Sequence, residues 1–349
     1  MMQRVIIIGM GKMGLVHGSI MNILPDAEVV ALCDLDKSLG NYVKSIGLNA
    51  PFYPTLDEAL KEVQADSVLV TTPQFSHRVV AEAAIKHNLH VFIEKPSAHT
   101  LEDAQALYDL VKGRSEIVHA VGYMKAHYPL YQEMGRLIQD GVLGTVKNFR
   151  ASLYLSQVFA PKSGWMFTQK QAGGGLLTNT ACHLLYLLYA WFGELAGVYA
   201  KTVSLHSKEV EDTASAVMEF RNGVVGTLHS SWSVPGFQVE ETEVLIEGTN
   251  GILIADDNRY RLHLINPHDA YPQGWTVRHR SETDTVSFNL SPEYGGEGYY
   301  NEDLNFIQCC RDGKPALVTW YDGLQVQKMM DAMYRSSREG YITLTSSSE

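Results

Sequence analysis

Val5-Ile6-Ile7-Ile8-Gly9-Met10-Gly11-Lys12-Met13-Gly14 decides the fold of this chain. Consecutive apolar residues read as a strand covered on both faces, since a half-exposed strand would alternate. The G-x-G-x-x-G spacing that follows reads as a strand-to-helix turn with a separate need at each glycine. Gly9 allows the tight turn, Gly11 lets the backbone approach a pyrophosphate, and Gly14 lets the helix pack on the strand. Free N–H groups at the helix start then face the anion. Taken alone the pattern is weak, because glycines recur in tight turns for steric reasons. Asp34 strengthens it by standing at the end of the next apolar run, Val29–Cys33, where a carboxylate meets the ribose hydroxyls of a dinucleotide. Otherwise it would be an ordinary strand-end turn residue. A 2′-phosphate would be repelled there, so NAD is expected before NADP, although Lys37 blurs the preference.

The alternation of strand and helix continues from this turn. A helix starts near Gly11 and ends before Pro25. Val68–Val70, Val91–Ile93 and Ile117–Val121 read as further strands, with helices around Leu56–Val63 and Arg78–Asn88 between them. Thr100 caps another helix whose first turn carries Glu102 and Asp103. Repeated βα units imply a doubly wound parallel sheet. After about residue 123 the pattern changes. In Val146–Leu155, Phe149, Ala151, Leu153 and Leu155 alternate with Asn148, Arg150, Ser152 and Tyr154, as in a sheet with one apolar face. Asn222-Gly223 between Ala214–Phe220 and Val224–Trp232 is a strong hairpin signal. Gly248–Gly251 and Asp257-Asn258 read as further turns, and Glu302–Arg311 and Gly323–Ser337 as helices. The expected fold class is α/β, with a dinucleotide-binding domain over residues 1–123. Residues 124–349 form a second α/β domain around a large, mainly antiparallel open sheet. The terminal Ser346-Ser347-Ser348 reads as a frayed end.

Composition narrows the function. A chain of 349 residues exceeds one ordinary core, and 45% apolar content fits a globular protein. A net charge of -11 argues against nucleic acid or an anionic membrane as partner, either of which would want a basic face. Cys33, Cys182, Cys309 and Cys310 show no C-x-x-C spacing, so a reducing, cytoplasmic compartment is expected. No stretch is long and apolar enough to span a bilayer, and Val5–Ile8 is too short for a signal-peptide core. His77, His87, His90 and His99 lack metal-ligand spacing, so no metal is expected.

Glu94-Lys95-Pro96 directly follows Val91-Phe92-Ile93. Lys95 therefore falls at the carboxyl end of a parallel strand, where ligands of open α/β sheets bind. An ammonium there hydrogen-bonds a substrate oxygen and stabilises alkoxide charge, and a desolvated lysine also shuttles protons. An isolated lysine in such a place would be read as surface charge. Asn179 and His183 are spaced i, i+4 on one helical stripe with Leu176 and Leu187. That stripe is either core with one satisfied histidine or the mouth of a pocket where His183 acts as general base.

The ordered series Gly9–Gly14, Thr71-Thr72-Pro73 with His77, Glu94-Lys95-Pro96, Gly122-Tyr123-Met124-Lys125 with Pro129, and Gly173-Gly174-Gly175 before His183 resembles the Gfo/Idh/MocA oxidoreductase family. The resemblance covers essentially the whole chain. It implies a Rossmann domain joined to an α/β domain whose open sheet serves in homodimers or homotetramers. It also implies NAD(P)-linked oxidation or reduction of a sugar, cyclitol or nucleotide-linked sugar. Residue by residue, it implies cofactor contacts from Gly9, Gly11, Lys12, Met13, Gly14, Asp34, Thr72, Pro73, His77, Glu94 and Lys95, with Glu94 at the nicotinamide end. Catalysis falls to Lys95, His183 and Asn179. Substrate binding falls to those three with Tyr123, Lys125 and Trp165.

Two positions depart from the family pattern. Asn179 stands where an Asp is common, and an Asn neither takes a proton nor raises the basicity of an imidazole by charge. Either Lys95 and His183 suffice with Asn179 orienting substrate, or the chain belongs to a branch using Asn, or it only binds. Ala126 stands where many relatives carry Arg, with Lys125 and His127 beside it as replacements or as a simple linker. Arg150, Lys162 and Lys170 would meet a diphosphate if the substrate is a nucleotide sugar, and are otherwise solvated charge. Two other functions stay open on the same resemblance: NAD-assisted glycoside hydrolysis without net redox, and a non-catalytic dinucleotide-binding regulator.

Overall fold

A computed structural model of the protein describes residues 2–283 and 296–344. The terminal serines lie outside this range. The chain divides into two compact units.

The first unit alternates strand and helix from the start: β1 (Gln3–Ile8), α1 (Lys12–Met21), β2 (Ala27–Cys33), α2 (Leu39–Ser45), β3 (Phe52–Tyr53), α3 (Leu56–Glu62), β4 (Ser67–Val70), α4 (His77–Lys86), β5 (His90–Glu94), α5 (Leu101–Val111) and β6 (His119–Gly122). The strands are parallel in the order β3-β2-β1-β4-β5-β6. The order reverses between β1 and β4, the place where open α/β sheets bind ligands. Thr100 caps α5 by accepting the Asp103 N–H at 3.1 Å, as its sequence predicts.

The second unit begins at Lys125 and holds α6 (Pro129–Gln139), β7 (Val146–Tyr154), α7 (Gln169–Ala172) and α8 (Cys182–Phe192). Then follow β8 (Leu195–Val203), β9 (Thr213–Phe220), β10 (Val225–Ser231), β11 (Glu241–Gly248), β12 (Gly251–Asp256), β13 (Arg259–Leu264) and β14 (Gly274–His279). With the short β15 (Ile342–Thr343) they form a sheet ordered β14-β13-β12-β11-β7-β10-β9-β8-β15. Every pairing is antiparallel except β7 with β10. The Asn222-Gly223 hairpin joins β9 to β10, with Gly223 at φ +84° where a side chain would be strained. Phe149, Phe192 and Phe220 cluster beneath the sheet at 5.2 to 5.8 Å between ring centroids. Burying such a ring contributes about 1.5–3 kcal/mol.

The division differs from a single cut near residue 123. α9 (Glu297–Asp312) and the start of α10 (Trp320–Glu339), as far as Gln327, belong to the first unit. The reason is packing. Phe306, Ile307 and Cys310 of α9 share one core with Val5, Ile7 and Phe92 of the parallel sheet.

Candidate active site

The carboxyl ends of β1, β2, β4 and β5 are laced together by side chains. Gly9 has φ +96°, which favours glycine, and a Cβ on Gly14 would overlap the Gly9 carbonyl. A Cβ on Gly11 would meet nothing within 4 Å. Gly9 and Gly14 are thus demands of the fold itself, whereas Gly11 faces open space. Gly11 is also the N-cap of α1 and offers no side chain to the first helical N–H groups. An uncapped helix start beside open space fits an anionic pyrophosphate.

Asp34 closes this turn from the neighbouring strand. Its Oδ2 accepts the Met10 N–H at 2.7 Å and its Oδ1 accepts the Asp36 N–H at 2.9 Å. Thr71, at the end of β4, donates its hydroxyl toward the Gly9 and Ile8 carbonyls at 2.7 and 3.0 Å. His77 is buried, with Nε2 2.7 Å from the Thr72 carbonyl and Nδ1 3.0 Å from the Pro96 carbonyl. It therefore joins the turn after β4 to the turn after β5, and burial holds its pKa down. The Lys95–Pro96 bond is cis. Lys95 is partly exposed, while Glu94 is buried and accepts the Lys95 backbone N–H on Oε2 at 2.8 Å. Lys12 is exposed, and Met13, Thr72 and Pro73 are partly exposed. All the residues expected to meet a dinucleotide thus lie in or beside these strand-end turns of the first unit.

In the second unit the three glycines each answer a different constraint. Gly173 ends α7 at φ +68°, a Cβ on Gly174 would overlap the Tyr334 hydroxyl, and a Cβ on Gly175 would overlap the Glu211 carbonyl. The Glu211 side chain anchors the turn. It accepts the N–H of Gly175 and of Leu177 and the hydroxyl proton of Tyr334, each at 2.8 Å. Leu177–Ala181 is then π-helical, and α8 begins only at Cys182. The regular helical stripe expected through Asn179 and His183 is therefore interrupted, a local irregularity frequent at functional sites. Asn179 is the one partly exposed residue of the run Leu176–His183, and His183 is 3% exposed.

The remaining expected residues belong to both units. Tyr123 is fully buried just after β6. Lys125 is buried in the second unit, its Nζ 2.7 Å from Asp257, 3.1 Å from Glu240 and 2.8 Å from the Thr242 hydroxyl. Burial opposes its charge, but the two carboxylates outweigh it and raise its pKa. Its ammonium is already engaged by protein. His127 is buried as well, which lowers its pKa to about 3. Trp165 lies partly exposed in a short helical turn, Trp165–Phe167. Arg150, Lys162 and Lys170 are exposed.

Several residues in these arrangements were not legible as functional in the sequence: Glu211, Tyr334 and a buried group of His17, Glu302 and Asp303. The available signal was weak. His17 follows Gly14 by one helical turn, and Glu302 and Asp303 interrupt the apolar stripe that ends in Phe306, Ile307 and Cys310.

Residues 3–123 match the model of an oxidoreductase family's NAD-binding Rossmann fold, and residues 136–344 match that family's C-terminal alpha/beta domain. The chain belongs to the Gfo/Idh/MocA oxidoreductase family. It is similar to the scyllo-inositol 2-dehydrogenase (NAD(+)) of Bacillus subtilis, 24% identical, with 97% of this chain and 94% of that protein covered. It is similar to the D-xylose dehydrogenase of Paenarthrobacter nicotinovorans, 24% identical over 78% of this chain and 76% of that one. Among solved structures, levoglucosan dehydrogenase in complex with NADH and levoglucosan superposes with a TM-score of 0.87. The coverage is 99% of this chain and 100% of that one, and at 22% identity the likeness shows the fold. As a Gfo/Idh/MocA oxidoreductase, the protein carries its NAD-binding signature on the first unit. Among the described residues, no helix is long and apolar enough to cross a membrane.

Proposed function

We propose that the protein is an NAD-dependent dehydrogenase that oxidises a secondary hydroxyl of a sugar, cyclitol or nucleotide-linked sugar. The observation that carries this reading is the strand-end assembly of Gly9–Gly14, Asp34, His77 and Glu94-Lys95-Pro96, in a chain whose relatives are named for xylose and inositol oxidation. Bound NAD supplies a hydride acceptor. Asp34 takes the ribose hydroxyls, and its carboxylate disfavours the extra phosphate of NADP. Lys95 hydrogen-bonds the substrate oxygen and stabilises the charge that grows on it as the carbon–hydrogen bond breaks. His183 takes the hydroxyl proton as general base, and Asn179 orients the substrate through its amide without exchanging a proton. Tyr123 and Trp165 are aromatic candidates for sugar contact, while the ion pairs of Lys125 favour a role in holding its own unit together.

The outer face of the nine-stranded sheet supports assembly into a homodimer or homotetramer. Exposed Tyr199, Val217 and Val225 share that face with Arg150, Lys201 and Glu243, an apolar surface interleaved with both charges. Four buried free thiols favour a reducing, cytoplasmic location.

Incubating the purified chain with NAD and a panel of aldoses, inositols, UDP-sugars and aryl glycosides tests the reading, with NADH absorbance and product mass recorded together. NADH formation with one substrate class, lost in Lys95→Ala and in His183→Ala, is the expected result. Glycoside cleavage without net NADH would reassign the protein as a redox-assisted hydrolase. Tight NAD binding with no turnover in either the wild type or Asn179→Asp would leave a binding protein.

A further inference from the structure

Behind Lys95, inside the first unit, lies a chain of buried charges that the reaction above does not use. His17 of α1 is fully buried. Its Nε2 is 3.0 Å from Glu94 Oε1, and its Nδ1 is 2.8 Å from Asp303 Oδ1. Glu94 passes the contact on through its other oxygen to the Lys95 backbone N–H. Glu302, beside Asp303 on α9, is 1% exposed, and neither of its carboxyl oxygens has a hydrogen-bond partner among the described residues. The rings of Phe92 and Tyr299 meet His17 edge-on at 5.2 and 5.9 Å between centroids.

The protons in this cluster can be counted. A neutral imidazole donates from one nitrogen and presents a lone pair at the other. Here both nitrogens face carboxyl oxygens, so either the ring is a cation or a carboxyl carries the proton. Glu94 accepts the Lys95 N–H on one oxygen and faces His17 with the other, while Asp303 faces His17 with Oδ1 and has no hydrogen-bond partner at Oδ2 among the described residues. The groups facing the cluster are Glu94 from β5 and Glu302 and Asp303 from α9, with Lys95 and His77 beyond Glu94. Three ionised carboxylates would exceed the two cations His17 and Lys95. An unpaired charge in a dry interior costs several kcal/mol, which neutralising one carboxyl avoids. Glu302, which receives no hydrogen bond, is the carboxyl for that proton.

We propose that His17 is a positioning residue: a buried imidazolium clasped between Glu94 and Asp303, with Glu302 beside it as a neutral acid, fixing Glu94 and with it the strand end that presents Lys95. Three of the four titration directions agree, while burial outweighs the His17 charge at Asp303 and raises its pKa. Burial disfavours the His17 charge, yet Asp303 and Glu94 hold its pKa well above the usual histidine range. Burial, reinforced by Glu94 and Asp303, pushes Glu302 well up. Burial also works against the Glu94 charge, but the hydrogen bond and charge of His17 draw its pKa down. His17, Glu94 and Glu302 present one atom each within 4.8 Å of one another, a span short enough for a metal ion. The two carboxylate contacts of His17 leave it no free lone pair for one.

The part of the inference that concerns rate rests on the proposed dehydrogenase reading, while the protonation state does not. The test uses the full chain with isotopically labelled histidine, the His17 ring signals being assigned by their loss in His17→Gln. Doubly protonated ring nitrogens on His17 at pH 8, unchanged in Glu302→Gln, are expected, with the Tm of that variant within a few degrees of wild type. A neutral His17 tautomer at pH 7 would overturn the proposal. So would a rise in wild-type Tm with Mg²⁺, Mn²⁺ or Zn²⁺ that is absent in Glu302→Gln. On the substrate that the wild type turns over, His17→Gln should lower kcat on the order of 10²-fold with little change in the sugar KM. The pH–rate profile should shift, a readout that loss of packing alone would leave in place. An unchanged kcat and profile would sink the positioning role. Absence of turnover in the wild type would count against the dehydrogenase reading, with the ring signals still deciding the clasp.

Discussion

The Glu211 carboxylate, in the connection between β8 and β9, accepts the N–H of the distant Gly175 at 2.8 Å. Two further donors, Leu177 N–H and Tyr334 O–H, meet the same side chain. It thereby fixes the entry to the π-helical turn that carries Asn179 and leads to His183. Removing it orphans three buried donors, each worth about 1–3 kcal/mol when left unpaired. Glu211→Ala should therefore lower Tm sharply in thermal denaturation. Glu211→Gln should also be destabilising, because its amide nitrogen would face a donor. A Glu211→Gln variant with wild-type Tm would show that the anchor is dispensable.

Asp34 has a structural task and, in the proposed reading, one toward the cofactor. It holds the Met10 N–H of the glycine turn, and in the proposed reading it meets the ribose. Asp34→Ala should weaken NAD binding by at least about tenfold, the equivalent of about 1.4 kcal/mol. The same variant should narrow the gap between NAD and NADP. Titration calorimetry with both cofactors checks this, and an unchanged preference would remove Asp34 from cofactor selection.

Lys125 is the buried centre of an ionic network in the second unit. Tyr131 shares Asp257 with it, at 2.6 Å from the phenol oxygen. Breaking a buried pair from one side typically costs about 3–5 kcal/mol, since the remaining charge is left without a partner. Lys125→Met should accordingly unfold at a much lower urea midpoint. The paired variant Lys125→Met with Asp257→Asn should recover part of the loss. If Lys125→Met keeps its stability and loses only sugar affinity, the residue belongs to the substrate site instead.

Two neutral histidines, His127 buried and His119 partly buried, set an acid limit. Burial lowers the pKa of His119 from 6.5 to about 4 and that of His127 to about 3. Below pH 6.5 the unfolded chain gains protons at these positions that the folded chain refuses, so their contribution to stability is complete above pH 6.5 and lost as pH falls toward 3. Glu302 and Asp303, with raised pKa values, act in the opposite sense. A single variant isolates the histidine effect. His119→Asn keeps an acceptor for the Trp320 N–H, which His119 Nδ1 receives at 3.2 Å, and has no proton to gain. Between pH 7 and 5 its Tm should fall less steeply than that of wild type, and parallel curves would refute the assignment.

Local chemistry makes much of the protein legible in its sequence. The apolar run into Gly9, the strand-end Asp34, the Thr100 cap, the period-two alternation of Val146–Tyr154 and the Asn222-Gly223 hairpin each depend on residues close together in the chain. Backbone sterics and the pleat fix such features wherever they occur. The helix through Asn179 was legible only in outline, because its entry is anchored by Glu211, which Tyr334 meets in turn, and sequence spacing connects neither residue to it.

By itself the sequence determined the doubly wound sheet, the dinucleotide turn and the place of Lys95 at a strand end, since these follow from local conformational preference and burial period. Only the tertiary structure decided that α9 returns to the first unit to fill its core. That return brings Glu302 and Asp303 to His17. It was also the tertiary structure that engaged Lys125 with Asp257 and Glu240. Such contacts are set by which surfaces pack together and by the need of every buried charge for a partner. Neither condition leaves a periodic trace along the chain.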